Sequence, residues 1–326
     1  MNDSLINILN SVVANATPLV IAGLGETITE RSGVTNLSLD GSLALSAMVG
    51  FVAGLATGSL VVGVAAAMIA GALIALIVAF AGIELRQDQV AVGFVLTLLC
   101  ADLAQFLGQD YTRTPGPTFP YVAIPVLKDI PVVGPILFTN QQLPVYFSYV
   151  LIFVVWYLMF HTRIGLAHRA VGERPAAAFA RGTKVNRQRY LYTIIGGALV
   201  GIAGASYSLA IKPGWSTPPV MRGDGWIALA IVIFGGWHPF RVVLGAYLFA
   251  GLRALTSAIQ RSPDVQIPLV LLNGLPWALM IITLLLVSTG AVERLLSILP
   301  RPLQKWTRSF LRSDPPAALG TRFEEG

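Results

Sequence analysis

No charged residue occurs between Asp40 and Glu84, although this stretch is long enough to cross a bilayer twice. A helix needs about 20 mostly apolar residues to span the hydrocarbon, and every backbone polar group inside it must be satisfied internally. Similar apolar runs recur along the chain, at residues 5–25, 37–58, 60–80, 90–107, 144–160, 190–211 and 267–288. Across the 326 residues only 12% are charged and 55% are hydrophobic. A soluble domain carries about 25% charged residues, so this chain cannot cover a water-facing surface and lipid must solvate much of it. The expected fold is an all-α polytopic membrane bundle of about eight segments. Its membrane domain is expected to span residues 1–290, with residues 291–326 a basic cytoplasmic tail, polar and disordered after Arg312.

One further apolar stretch, residues 226–257, is interrupted by Gly235, Gly236 and Pro239. Glycine weakens a helix and proline removes a donor, so the expectation is two half-helices forming a re-entrant hairpin. Residues 161–190 carry Arg163, Arg169, Arg174, Arg181, Lys184, Arg187 and Arg189; the tail carries Arg294, Arg301, Lys305, Arg308, Arg312 and Arg322. The positive-inside rule puts both blocks in the cytoplasm and the N-terminus outside. The tail reaches the cytoplasm only if residues 226–257 enter and return. The net charge of +6 is therefore a topology signal, and no nucleic-acid partner is expected. The first four residues hold no Lys or Arg, so no cleaved signal peptide is expected. The outer loop, residues 110–143, is long and rich in Pro and Gly, and is expected to be ordered and functional.

Few residues offer chemistry. The lone Cys100 can form no intrachain disulfide and reads as a small core residue. There is no phosphate-binding Gly-x-x-x-x-Gly-Lys-Ser/Thr run, no metal-binding spacing and no nucleophile with a base, so no catalytic residue is expected. His161, His168 and His238 lie at membrane ends, where solvated roles suffice. Asp102, Gln105 and Gln109 fall on one face of the fourth span. They either line a water-filled path or make an interhelical hydrogen bond. Asn36 can cap a helix at Leu37, with Asp40 in its first turn, and the pair either serves that start alone or also meets solute. Gly50, Gly54 and Gly58 make one small-residue stripe and Gly197, Gly201 and Ala205 another, suited to packing or to sliding.

The segment Gly172-Glu173-Arg174-Pro175 through Ala178, Phe179, Arg181 and Gly182 is the most informative. Pro175 suits a first helical turn, Glu173 and Arg181 complement the helix dipole, and Gly182 stops the helix. The result is a short Ala-rich cytoplasmic helix presenting Phe179, which either docks into a partner's groove or lies on the lipid surface.

This segment, with the Gly182-Thr183-Lys184-Val185 turn and Tyr190, Gly196, Gly197, Gly201 and Gly204, resembles the coupling loop of ABC-transporter permeases in the bacterial branched-chain amino acid, ribose and nucleoside group. It is most similar to simple-sugar and nucleoside permeases. Residues 30–41 resemble that group's second-span signature, with Asp40 where Glu is more usual. Residues 234–241 with Gly245 and Gly251 resemble its re-entrant segment, with His238 and Arg241 in place of smaller or amide residues. Ala16-Thr17-Pro18-Leu19 also fits, so the resemblance covers nearly the whole chain in order. It implies the permease subunit of an ATP-driven importer in the inner membrane, moving a nucleoside, purine or simple sugar. It further implies a second permease chain, a periplasmic or lipid-anchored solute-binding protein, and a separate ATP-binding subunit that uses the ATP and couples through residues 172–182, leaving this chain without a cofactor of its own. An ion-coupled secondary transporter is the alternative; it would need midplane carboxylates, and the sequence offers only Asp102, near a span end.

Overall fold

A computed structural model describes residues 3–261, 274, 277, 278, 281, 282 and 314–324. The described stretch 3–261 holds the α-helices α1 (Asp3–Arg31), α2 (Leu39–Thr57), α3 (Leu60–Ile83), α4 (Gln89–Gly108), α5 (Val133–Leu137), α6 (Leu143–His161), α7 (Arg163–Glu173), α8 (Pro175–Ala180), α9 (Val185–Ser206), α10 (Asp224–Phe234) and α11 (Pro239–Arg261). Among the described residues seven helices are long and apolar enough to cross a bilayer: α1, α2, α3, α4, α6, α9 and α11. The all-α polytopic bundle is thus the fold. The expected span at 267–288 lies almost wholly outside the described residues.

Small residues set the packing. Lipid gives no hydrophobic drive between helices, so close backbone approach supplies the attraction. A Cβ on Gly71 of α3 would lie 2.3 Å from the Gly197 carbonyl oxygen of α9, and one on Gly201 would lie 2.2 Å from that of Ala67. Gly50 of α2 meets Gly63 and Ala67 of α3 and the Ala205 side chain of α9. The two stripes are therefore three-helix packing seams. Gly58 does not belong to its stripe: it has φ +66° and is the left-handed C-cap of α2, with open space where a side chain would be.

The loop between α4 and α6 lies over one end of the bundle. Tyr121–Val122 (β1) pairs antiparallel with Gln141–Gln142 (β2). Asn10 of α1 donates to the carbonyls of Pro135, Ile136 and Thr139 at 3.1, 3.1 and 2.7 Å. The Phe119 amide donates to the Leu209 carbonyl at 2.9 Å, where α9 ends in a π-turn over Tyr207–Ile211. The start of α1 and this loop therefore share one end, the loop end. Arg31, α7, α8 and residues 314–324 gather at the other, the basic end.

Four expectations are corrected here. The interrupted stretch is not two half-helices: α10 has 11 residues, about 16 Å, while α11 has 23 and crosses fully. Pro239 opens α11 rather than breaking it, because a first-turn amide has no partner to lose. The second correction is Asn36. The helix starts two residues later than expected, with Ser38 at the N-cap, and Asn36 Oδ1 accepts from Ser38 N at 3.1 Å and Ser38 Oγ at 2.6 Å. A local side-chain turn has displaced the cap. Third, Glu173 closes α7 instead of opening the short helix, which begins at Pro175 after an extended Arg174. Fourth, residues 314–324 are not disordered, since their amides find the carbonyls of Gly172 in α7 and of Gly33 just after α1.

Candidate functional site

The irregular segment between α1 and α2 determines where polar groups enter the bundle. Helix α1 runs to Arg31, six residues beyond the apolar run, carrying Glu26 and Glu30 inside. Glu26 is 0% exposed and Glu30 3%, one turn apart on the same face. Glu30 Oε2 accepts from Trp237 Nε1 at 2.5 Å, while Arg31 donates to the carbonyls of Trp237 and Gly236 at 3.2 Å each. Two adjacent α1 side chains thus hold the α10–α11 turn, Glu30 through the Trp237 indole and Arg31 through two turn carbonyls.

The N-terminal end of α10 is held in a similar way. Asp40 Oδ1 accepts from the amides of Gly223 and Gly225 at 2.8 and 3.0 Å. These are unsatisfied donors of a helix start, and a carboxylate is the acceptor favoured by the dipole. Gly225 is required for the approach, since a Cβ there would sit 2.2 Å from the Asp40 amide. Asp40 therefore caps α10, in another part of the chain, more than it serves its own helix.

Beside this junction lies a cavity of about 370 Å³ lined by Asp40, Thr97, Asp102, Gln105, Arg222 and Trp226, with Phe94 tilted against Trp226 at 6.1 Å between ring centroids. Of the four residues singled out for solute, Asp40, Asp102 and Gln105 come together here. Asn36 is not on this wall. Its amide oxygen is bound to Ser38.

A second cavity, of about 450 Å³, lies between α1, Tyr207 and α11. Its wall carries a triad the sequence reading missed. Asp224 is 1% exposed; Tyr207 donates to its Oδ2 at 2.5 Å and Arg253 donates to both of its oxygens. Asp102 is therefore not the only acidic group the helices offer: Glu26, Glu30 and Asp224 are buried in the bundle. Glu26 and Glu30 followed the apolar run and read as loop. Asp224 read as the edge of an outer connector, because α10 begins within the protein. The one available signal was the four-residue spacing of Glu26 and Glu30 continuing the periodicity of α1.

At the basic end, α7 and α8 are joined by Arg174 and followed by Gly182 at φ +85°, a conformation glycine adopts freely. Glu173 pairs with Arg31 at 3.4 Å. Gly172 presses on the end of α1, where a Cβ would lie 2.1 Å from the Arg31 carbonyl. Ala178 is buried, whereas Phe179 is 39% exposed and Arg181 faces out. His168 of α7 is not solvated as expected. It is buried and bonded through Nε2 to the Ile28 carbonyl at 2.9 Å, which fixes the Nε2–H tautomer. Burial, with Arg31 and Arg169 nearby, pushes its pKa down to about 4 despite that bond.

The chain is 38% identical to a Haloferax volcanii protein named provisionally as a glucose ABC transporter permease, over 80% of this chain and 81% of that one. It is 33% identical to a nucleoside ABC transporter permease of Lactococcus lactis over 89% and 96% of the two chains. It is 34% identical to a guanosine ABC transporter permease of Bacillus subtilis over 88% and 92%. No solved structure matches significantly. The family model described as branched-chain amino acid transport system, permease component, matches residues 8–289, so the chain is a multi-pass ABC importer permease of that family.

Proposed function

We propose that the chain moves a nucleoside-sized polar solute, and that the cavity at Asp40, Asp102 and Gln105 belongs to its path. The observation that carries this reading is the pairing of chemistries on one wall. Asp102 and Gln105 offer acceptors and an amide donor, while Phe94 and Trp226 offer ring faces. A nucleoside needs both, hydroxyl and base-edge hydrogen bonds and a surface for stacking. The volume falls within the roughly 300–1,000 Å³ typical of small-molecule sites. The names of the Lactococcus and Bacillus relatives support a nucleoside, while that of the Haloferax relative names glucose.

Membership in the family implies an ATP-binding and a solute-binding partner. In the proposed arrangement the basic end faces the cytoplasm and α8 meets the ATP-binding subunit, with Phe179 as anchor. A second permease chain completes the path, and the solute-binding protein delivers at the loop end. Movement of α8 reaches the α10–α11 turn through Glu173, Arg31 and Glu30, and α10 carries it to Asp40 at the cavity. The ion-coupled alternative has no support from the relatives. Uptake of labelled guanosine, adenosine, uridine, ribose and glucose by membranes carrying the reconstituted importer tests the solute. Nucleoside uptake that falls severalfold in Asp102→Leu and Gln105→Leu, with the ATP-binding subunit still bound, is expected. Transport of glucose alone would refute the solute assignment, and parental uptake by both variants would refute the path.

A further inference from the structure

Residues 314–324 return to the basic end and lie in the notch between α1 and α7. The Ala318 amide donates to the Gly172 carbonyl at 2.8 Å and the Gly320 amide to that of Gly33 at 3.0 Å. Gly172 lies in the last turn of α7, whose carbonyls have no partner within the helix. The Ala317 amide donates to Glu173 Oε2 at 3.3 Å, and Arg189 Nη1 of α9 donates to the Thr321 carbonyl at 2.9 Å. Pro316 and Ala318 are buried. Phe323 packs on the small cluster of Val171, Ala178 and Val185, and its ring meets that of Phe179 edge-on at 5.8 Å. Glu324 pairs with Arg86, in the turn between α3 and α4, at 2.6 Å.

The setting gives these contacts a consequence. Helix α8 has six residues, far below the length at which a helix persists alone. It buries only Ala178, and a single extended residue, Arg174, joins it to α7. A push on such a helix would be absorbed at Arg174 unless something stiffens the joint. Phe323 is the added apolar contact on α8, and the backbone bonds at Gly33, Gly172 and Glu173 tie the same segment to α1 and α7. Two consecutive prolines, Pro315 and Pro316, restrict the free segment and lower the cost of seating it.

We propose that residues 314–324 are a clasp that couples α8 to the end of α1, so that movement of α8 reaches the α10–α11 turn held by Glu30 and Arg31. The proposal rests on the reading of α8 as the contact for the ATP-binding subunit, and its residues act by positioning α8.

The test uses the full importer in proteoliposomes and three chains: the parent, one lacking residues 314–326, and Arg86→Cys/Glu324→Cys in a Cys100→Ala background. The cysteine pair should be bridged by a short bismaleimide cross-linker in the permease alone, a span suited to two positions whose long side chains meet at their tips, and the joined chain should match the parent in uptake and in ATP consumed per solute, because the clasp stays seated. The shortened chain should still co-purify with the ATP-binding subunit but consume about fivefold more ATP per solute, the lower range of ordinary coupling between sites. Phe323→Ala should move the same ratio in the same direction. A pair that never joins would show that the segment does not sit there, whatever the partner reading. A parental ratio in the shortened chain would remove its coupling role. Faster uptake on shortening, or a dead joined pair, would make the segment an inhibitory occupant and overturn the clasp. If the parent itself binds no ATP-binding subunit, the α8 reading fails and the coupling role with it, while the joining reaction still reports the contact.

Discussion

Arg253 approaches Asp224 through both terminal nitrogens, and Tyr207 takes a remaining lone pair. The three side chains come from α11, α10 and the π-turn after α9, so the ion pair fixes the depth of α10 relative to both neighbours. Removing one partner leaves a buried charge, which costs more than replacing both with apolar groups. Arg253→Met is expected to lower stability by about 3 kcal/mol, the low end for buried pairs, because its side chain is 41% exposed. Asp224→Leu/Arg253→Met should recover most of that loss. Thermal unfolding in detergent measures both, and a double variant no better than the single would show the pair to be worth its full Coulomb energy. His168 supplies a pH dependence. Its native pKa of about 4 lies below the ordinary 6.5, so the unfolded chain binds the proton more readily. Its contribution is constant above about pH 6.5 and is lost as pH falls toward 4, with a slope of at most about 1.4 kcal/mol per pH unit. His168→Gln should flatten the unfolding midpoint between pH 6.5 and 5. An unchanged slope would place the titration elsewhere.

Helix α9 packs against α3 with almost no side chain between them, since Gly197 and Gly201 face Gly71 and Ala67. Gly197→Leu is expected to push α9 off α3 and destabilise the bundle by at least about 2 kcal/mol, as overpacking does elsewhere. Gly58→Ala, at an open left-handed cap, should cost only about 1 kcal/mol. Comparable losses at both sites, measured by denaturation, would contradict the seam. These seams were legible in the sequence, because four-residue spacing places small residues on one face without reference to any partner. The long spans were legible for the same reason: length and apolarity suffice. The break at Gly235 was legible too, yet the shape around it was not. Whether Pro239 ends a helix or opens one depends on what holds the turn before it, and here the Trp237 indole and the Gly236 and Trp237 carbonyls are held by Glu30 and Arg31, some 200 positions away in the chain. The capping of α10 by Asp40 was hidden similarly. The sequence shows an acidic residue at a helix start, while the structure shows which helix it serves.

At the scale of the whole chain the two ends differ in what they are made of. The loop end is built from backbone bonds among β1, β2, Asn10 and the π-turn, with little charge. The basic end gathers Arg31, Arg169, Arg189 and residues 314–324 around α7 and α8. Carboxylates lie between: Glu26, buried one turn before Glu30 on α1, and Glu30, Asp40 and Asp224, each at one end of α10 or its turn. This layout links α8, the α10–α11 turn and the cavity in a continuous series of contacts, the physical minimum for passing movement between distant sites. It also makes the orientation testable with two exposed positions. Lys128, in the loop, and Arg181, after α8, lie at opposite ends of the bundle. The cytoplasm collects Lys and Arg beside spans, so the basic end should face inward. In a Cys100→Ala background, Lys128→Cys should react with a membrane-impermeant maleimide on intact cells, whereas Arg181→Cys should react only after the membrane is opened. Labelling of both from outside would deny that the chain spans the membrane as folded here. Labelling of Arg181→Cys alone would invert the bundle, placing α8 where no ATP-binding subunit could reach it.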